Sequence, residues 1–83
     1  MRIYMQTPPL EDRPPRFFHL HLQEDLLEGW TLVKESGYQG SPGRVSREHF
    51  SARDAAVQAL MRARDAQVKR GYRVVFAQGD TGV

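Results

Sequence analysis

Three histidines are the first residues whose type and spacing could do chemistry. His19 and His21 are separated by one residue in "RFFHLHLQ", which places both imidazoles on one face of a strand, and His49 could join them from another strand. Neutral imidazole is a good ligand for zinc or nickel. No third ligand or orienting carboxylate stands at a fixed spacing from the pair. The two rings therefore read as the solvent side of an amphipathic strand, and no metal or other cofactor is expected.

Covalent and acid–base catalysis find less to work with. The chain has no cysteine, and no serine sits in a strand–elbow–helix context. The acid pairs Glu11–Asp12 and Glu24–Asp25 fall where turns are expected, and solvated charge is ordinary there. The expectation is that the protein is not an enzyme.

The glycine-rich stretch "ESGYQGSPGR", residues 35–44, could cradle a phosphate or turn a hairpin. A Walker loop needs Lys-Ser or Lys-Thr after its last glycine and then a helix. Here Gly43 is followed by Arg44, Val45 and an extended segment. The Gly37–Gly40 spacing matches a KH-type clamp, but that clamp lies between helices. With extended flanks, the stretch reads as a hairpin connection whose glycines take positive φ and whose Pro42 fixes the bend.

Charge is unevenly spread. Residues 1–41 carry four Lys or Arg against six Asp or Glu, whereas residues 42–83 carry eight against four. The net charges are −2 and +4, and basic groups gather at Arg62, Arg64, Lys69, Arg70 and Arg73 with Asp65 among them. Such a cluster serves as a solvated helix face or meets an acidic partner, including a phosphate backbone.

The elements that must position these groups follow from periodicity. Eighty-three residues suffice for one small domain with a modest core. "RIYM" is a short strand stopped by Pro8 and Pro9, and "LEDRPPR" is an exposed connection. In "RFFHLHLQ", Phe18, Leu20 and Leu22 share one face while His19 and His21 share the other. "WTLVKES" and "RVSREHF" extend the pattern as a meander. Ser51 is a suitable helix N-cap with Asp54 near the start, and Ala52, Ala56, Ala59, Leu60 and Ala63 fall on one helical stripe with Val57 and Met61 at its margins. Arg53, Arg62, Asp65 and Lys69 are expected to face water. Gly71 is placed to end the helix, "YRVVF" reads as a last strand, and a frayed tail is expected from about residue 77. The expected architecture is α+β, an antiparallel meander with a single helix packed on one face, in one domain spanning 1–83. "MRIYMQTPPL" lacks the apolar core of a signal peptide, no run reaches membrane-spanning length, and a cytoplasmic location is expected.

Taken in order, "MRIYMQ", "RFFHLHLQ", "GWTLVKESG", Gly40, Gly43 and "KRGYR" resemble the WGR domain, especially its small stand-alone bacterial form. The resemblance runs from Met1 to about Phe76. It implies an antiparallel sheet with one helix against it. In eukaryotic poly(ADP-ribose) polymerases such a domain helps to recognise DNA breaks, with its Trp and Arg near the DNA end. This chain has Ser36-Gly37-Tyr38 where Trp-Gly-Arg is expected, and only the glycine is kept. Tyr38 retains a ring that can stack on a base. Trp30 belongs to the preceding strand and is expected in or beside the core.

Two functions are carried forward. The first is a non-catalytic nucleic-acid-binding module with DNA as its partner. In it Tyr38, Arg44 and Arg47 meet the ligand near the glycine-rich connection, and Lys69, Arg70 and Arg73 contact phosphates. The second is a protein-interaction or regulatory module that has lost DNA binding.

Overall fold

The computed structural model describes residues 1–79. Five strands, β1 (Arg2–Gln6), β2 (Arg16–Glu24), β3 (Trp30–Tyr38), β4 (Arg44–Phe50) and β5 (Arg73–Gln78), form one sheet, and a single helix, α1 (Arg53–Lys69), joins the last two. The spatial order is β4-β3-β2-β1-β5, with every neighbouring pair antiparallel. The first four strands thus form the expected meander. The chain then crosses back through α1 and lays β5 along the free side of β1.

The alternation in β2 decides which face is buried. Ile3 pairs with Leu20 and Met5 with Phe18, while Leu22 pairs with Leu32, so these side chains share one side of the sheet. α1 packs on that side and contributes Ala56 and Leu60. Tyr72 closes the core, meeting Phe18 edge-on at 6.0 Å between ring centres. Small residues along the helix let it approach closely, so the strands supply most of the core volume. Each fully buried leucine contributes about 1.5–3 kcal/mol.

Both ends of the helix can be traced to particular residues. Its N-cap is Ala52, in extended conformation and without a side-chain capping bond, so the cap falls one residue beyond the expected Ser51. The Ala52 carbonyl accepts the first helical bond, from Ala56 N at 3.2 Å. The shift carries Arg53 inward. Its guanidinium lies 5.6 Å from the centre of the Trp30 ring rather than facing water as expected. Trp30 itself packs beside the core.

At the other end, Gly71 takes φ +100 directly after the C-cap Arg70. Gly71 N donates to Val68 O at 3.0 Å and Tyr72 N to Gln67 O at 3.1 Å. This is a Schellman closure, and it aims the chain into β5 with Tyr72 inside.

The hairpin between β3 and β4 is tighter than the spacing of its glycines predicts. β3 runs through Ser36, Gly37 and Tyr38, which pair with Phe18, Phe17 and Arg16, so the connection itself is only residues 39–43. Gly40 alone of its glycines has positive φ. Gly37 and Gly43 serve close approach instead: a Cβ on Gly43 would lie 2.9 Å from Phe17 Cζ and from Ser36 O.

The expected frayed tail overlaps β5, whose Ala77 and Gln78 pair with Ile3 and Arg2; its remainder, beyond 79, lies outside the described residues. No helix among the described residues is long and apolar enough to cross a membrane.

Candidate functional site

The six residues expected to carry binding are divided by the sheet. Antiparallel pairing puts partners on a common face, so Tyr38 opposite Arg16 and Arg44 opposite Ser36 lie on the helix side. Arg47 opposite Val33, and Arg73 opposite Gln6, lie on the uncovered side. Along the strands the grouping is closer. The end of β3, the start of β4, the end of α1 and the start of β5 all lie at one end of the sheet, which gathers Tyr38, Arg44, Lys69, Arg70 and Arg73 there. Arg47 stands apart, midway along the β4 edge.

Two of the six meet in a concavity. Tyr38 and Arg70 line a pocket of about 290 Å³, together with Leu10, Arg13 and Pro14 from the β1–β2 connection and Arg16 at the start of β2. Among the described residues no acidic side chain lines it. The Arg16 guanidinium lies 5.5 Å from the centre of the Tyr38 ring, a cation–π arrangement that holds the ring against the pocket wall.

The connection is itself pinned. Thr7 N donates to Arg16 O and Arg16 N to Thr7 Oγ1, each at 2.9 Å, and Gln39 N donates to Pro15 O at 2.8 Å. Three guanidinium groups, one phenol and an apolar floor can receive a phosphate with an adjoining ring. No local signal marks Arg16, because only the pairing of β2 with β3 brings it beside Tyr38, or Arg13, which the β1–β2 connection carries to the same pocket.

The uncovered face carries a second set of groups. Reading across β5, β1, β2, β3 and β4, one row is Phe76, Tyr4, His19, Glu35, Val45. A neighbouring row is Gln78, Arg2, His21, Val33, Arg47. On the opposite side of the aromatic row lie Arg73, Gln6 and Phe17. The Tyr4 and Phe17 rings are nearly parallel with centres 6.1 Å apart, and those of His19 and His21 likewise at 6.3 Å. The side chain of Gln39 steadies this cluster, donating to Tyr4 Oη and, at 3.3 Å, to Gln6 Oε1.

Partial burial of the two imidazoles pushes both pKa values below the ordinary histidine value. The Arg2 charge acts in the same direction, while Glu35 partly opposes it at His19.

No family model, curated protein or solved structure matches the chain.

The third histidine belongs elsewhere. His49 pairs with Thr31 near the opposite end of the sheet, and its Nδ1 lies 2.6 Å from Asp25 Oδ2. Asp25 Oδ2 also accepts from Thr31 Oγ1 at 2.9 Å, and Oδ1 accepts from Leu27 N at 2.9 Å and Gly29 N at 3.1 Å. Burial raises the Asp25 pKa, but these four hydrogen bonds together outweigh it and hold the carboxyl below the ordinary aspartate value. This network closes the β2–β3 turn. Among the described residues, no three His, Cys, Asp or Glu side chains are grouped to hold a metal ion.

Proposed function

We propose that the protein is a non-catalytic nucleic-acid-binding module, with DNA as its ligand, that works through phosphate contacts at the basic end of its sheet. The observation that carries this reading is the pocket that Arg13, Arg16 and Arg70 line together with Tyr38. Among the described residues no acidic side chain lines it, and of the three arginines only Arg13 has a carboxylate near, that of Asp12 at 3.7 Å. Lys69, at the end of α1, and Arg73, at the start of β5 and on the other face, stand at the same end of the sheet. Among the described residues no carboxylate lies within ion-pairing distance of Arg16, Arg70, Arg73 or Lys69, so these charges are available to phosphates. The resemblance to WGR domains supports the same ligand class, with Tyr38 as the aromatic group of the degenerate motif. Backbone contacts of this kind carry little sequence preference.

The test is a titration of labelled oligonucleotide with the native protein and with Arg16→Glu and Arg70→Glu. Micromolar binding at low salt, weakened at least tenfold by either charge reversal, supports the reading. Absence of micromolar binding at low salt rejects it.

A second reading, a protein-interaction module, is favoured by β5. It is an edge strand on which Val75 is 60 % and Phe76 51 % exposed, whereas the opposite edge, β4, carries Arg44, Arg47 and Glu48. Charged edges resist strand addition and apolar ones invite it. Recovery of a stoichiometric protein partner that is lost on substitution of Val75 by Lys, in a protein that ignores nucleic acid, would favour this reading over the first.

A further inference from the structure

The sheet face that α1 leaves uncovered bears five rings in neighbouring positions, Phe76 on β5, Tyr4 on β1, and Phe17, His19 and His21 on β2. A face turned to solvent ordinarily carries polar and charged side chains, and here its centre is aromatic. Tyr4 touches both Phe17 and His19, with ring centres 6.1 and 5.9 Å away, and His21 stacks beside His19, so these four rings make one continuous surface, with Phe76 next to Tyr4 in the register. Arg2, Arg47 and Arg73 stand around this surface, and Glu35 is the one carboxylate in the three rows that the register defines. The face therefore combines π surfaces at its centre with cations at its margin.

We infer that this uncovered face is a stacking platform for single-stranded nucleic acid, its bases lying on the rings of Phe76, Tyr4, Phe17, His19 and His21 while Arg2, Arg47 and Arg73 take the phosphates. The inference rests on the nucleic-acid reading above and specifies the form of the ligand. Bases in a duplex are already stacked on one another and show a protein only their edges, so an aromatic sheet face gains nothing from them. Unpaired bases can be splayed onto such a face, and stacking accepts every base because each has a π-face.

The arrangement also assigns a role to Arg47, which the basic end of the sheet leaves out. It lies in the row of Arg2 and His21, across Val33. Phe76, half exposed on the β5 edge, stands beside Tyr4 in the register and offers a strand its entry there. The platform and the Tyr38 pocket lie on opposite sides of the sheet but meet at the same end. Phe17 is adjacent in sequence to Arg16 and pairs with Gly37, next to Tyr38.

The experiment compares a short labelled DNA single strand with the duplex made from it, using the native protein, Phe76→Ala, His21→Ala and Arg70→Glu, with thermal unfolding of each variant as the folding control. The expected result is preference for the single strand, a loss of about tenfold in single-strand affinity for each ring removed, and unchanged duplex affinity in the two ring variants. Phe76 is half exposed, so its truncation leaves the core in place. Should either ring variant unfold, backbone amide shifts of the native protein on adding the single strand provide the same answer. They should concentrate on β1, β2 and β5 of the uncovered face. Equal affinity for both DNA forms with no effect of ring removal would overturn the platform and leave the phosphate reading standing if Arg70→Glu still weakens binding. Failure to bind either form overturns both.

Discussion

Arg16 and Tyr38 are direct partners across the β2–β3 ladder, with the guanidinium 5.5 Å from the centre of the tyrosine ring. The pair joins β2, which carries His19 and His21, to the end of β3, where Ser36, Gly37 and Tyr38 stand. It also lines the pocket that Arg70 closes from the helix end. Replacing Tyr38 by alanine should cost less than about 1 kcal/mol of stability, since a cation–π contact at an exposed site is worth about 0.5–1 kcal/mol. Oligonucleotide affinity should fall by about tenfold, because base stacking on an aromatic ring is worth roughly 1–3 kcal/mol. Tyr38→Phe should keep both. Parallel chemical denaturation and binding titrations of the two variants check this.

The core makes a sharper stability prediction. Leu60 is fully buried between helix and sheet, whereas Val68, one helix position before Lys69, is half exposed. Leu60→Ala should destabilise by about 2–5 kcal/mol and Val68→Ala by less than about 0.5 kcal/mol. For a domain this small, the leucine change alone removes a large share of the total stability. Urea unfolding with a common m-value separates the two.

The two hairpin glycines should respond differently to the same substitution. At Gly40 an added Cβ meets nothing within 4 Å, and alanine there carries only the cost of φ +85, about 1–2 kcal/mol. At Gly43 the added Cβ would lie 2.9 Å from a backbone oxygen, that of Ser36, and at the same distance from Phe17 Cζ. The backbone cannot yield without opening the β3–β4 ladder. Gly43→Ala should therefore shift amide resonances in β3 and on Phe17, while Gly40→Ala perturbs only its neighbours in the turn.

Stability should fall with acidification in two stages. Burial and Arg2 keep His19 and His21 neutral in the folded protein at pH values where the unfolded chain already binds protons. A depressed folded pKa means that the unfolded state gains protons first, so stability present above pH 6.5 declines as pH falls through the folded values. Asp25 acts lower. Its hydrogen bonds favour the ionised form, and that contribution is retained above pH 3.8 and lost as the folded carboxyl protonates. Imidazole titrations by NMR should place both histidine midpoints below 6.5, and an Asp25→Asn variant should lose the second stage of the acid transition.

Much of the fold was legible because it rests on local period. The alternation of Phe18, Leu20 and Leu22 against His19 and His21 fixes which side of β2 meets the helix, and Gly71 with Tyr72 marks where the helix turns into β5. Ser51 has the capping hydroxyl, a local preference, but the cap is Ala52, without a side-chain capping bond. The contact of Arg53 with Trp30 is tertiary, beyond the reach of local pattern. Gly37 and Tyr38 fall in the glycine-rich stretch expected as a connection, because glycine punctuates sequence. In the fold Gly37 is a strand residue that makes room for the hairpin, with Gly43 Cα 3.1 Å from where its Cβ would lie. Of the candidate site, Tyr38 and Arg70 do share a pocket, but Arg16 is brought to it only by strand register and Arg13 by the β1–β2 connection. The aromatic row on the uncovered face depends on β5 returning to β1, a pairing between the two ends of the chain that no local pattern announces.

The central claim is that phosphates are held by the basic end of the sheet. The measurement that tests it most directly is the salt dependence of native-protein affinity for a labelled duplex. Three phosphate contacts, one each from Arg16, Lys69 and Arg70, predict that log K falls against log salt with a slope of about −3. A slope near zero, or no binding in the micromolar range at low salt, would contradict it.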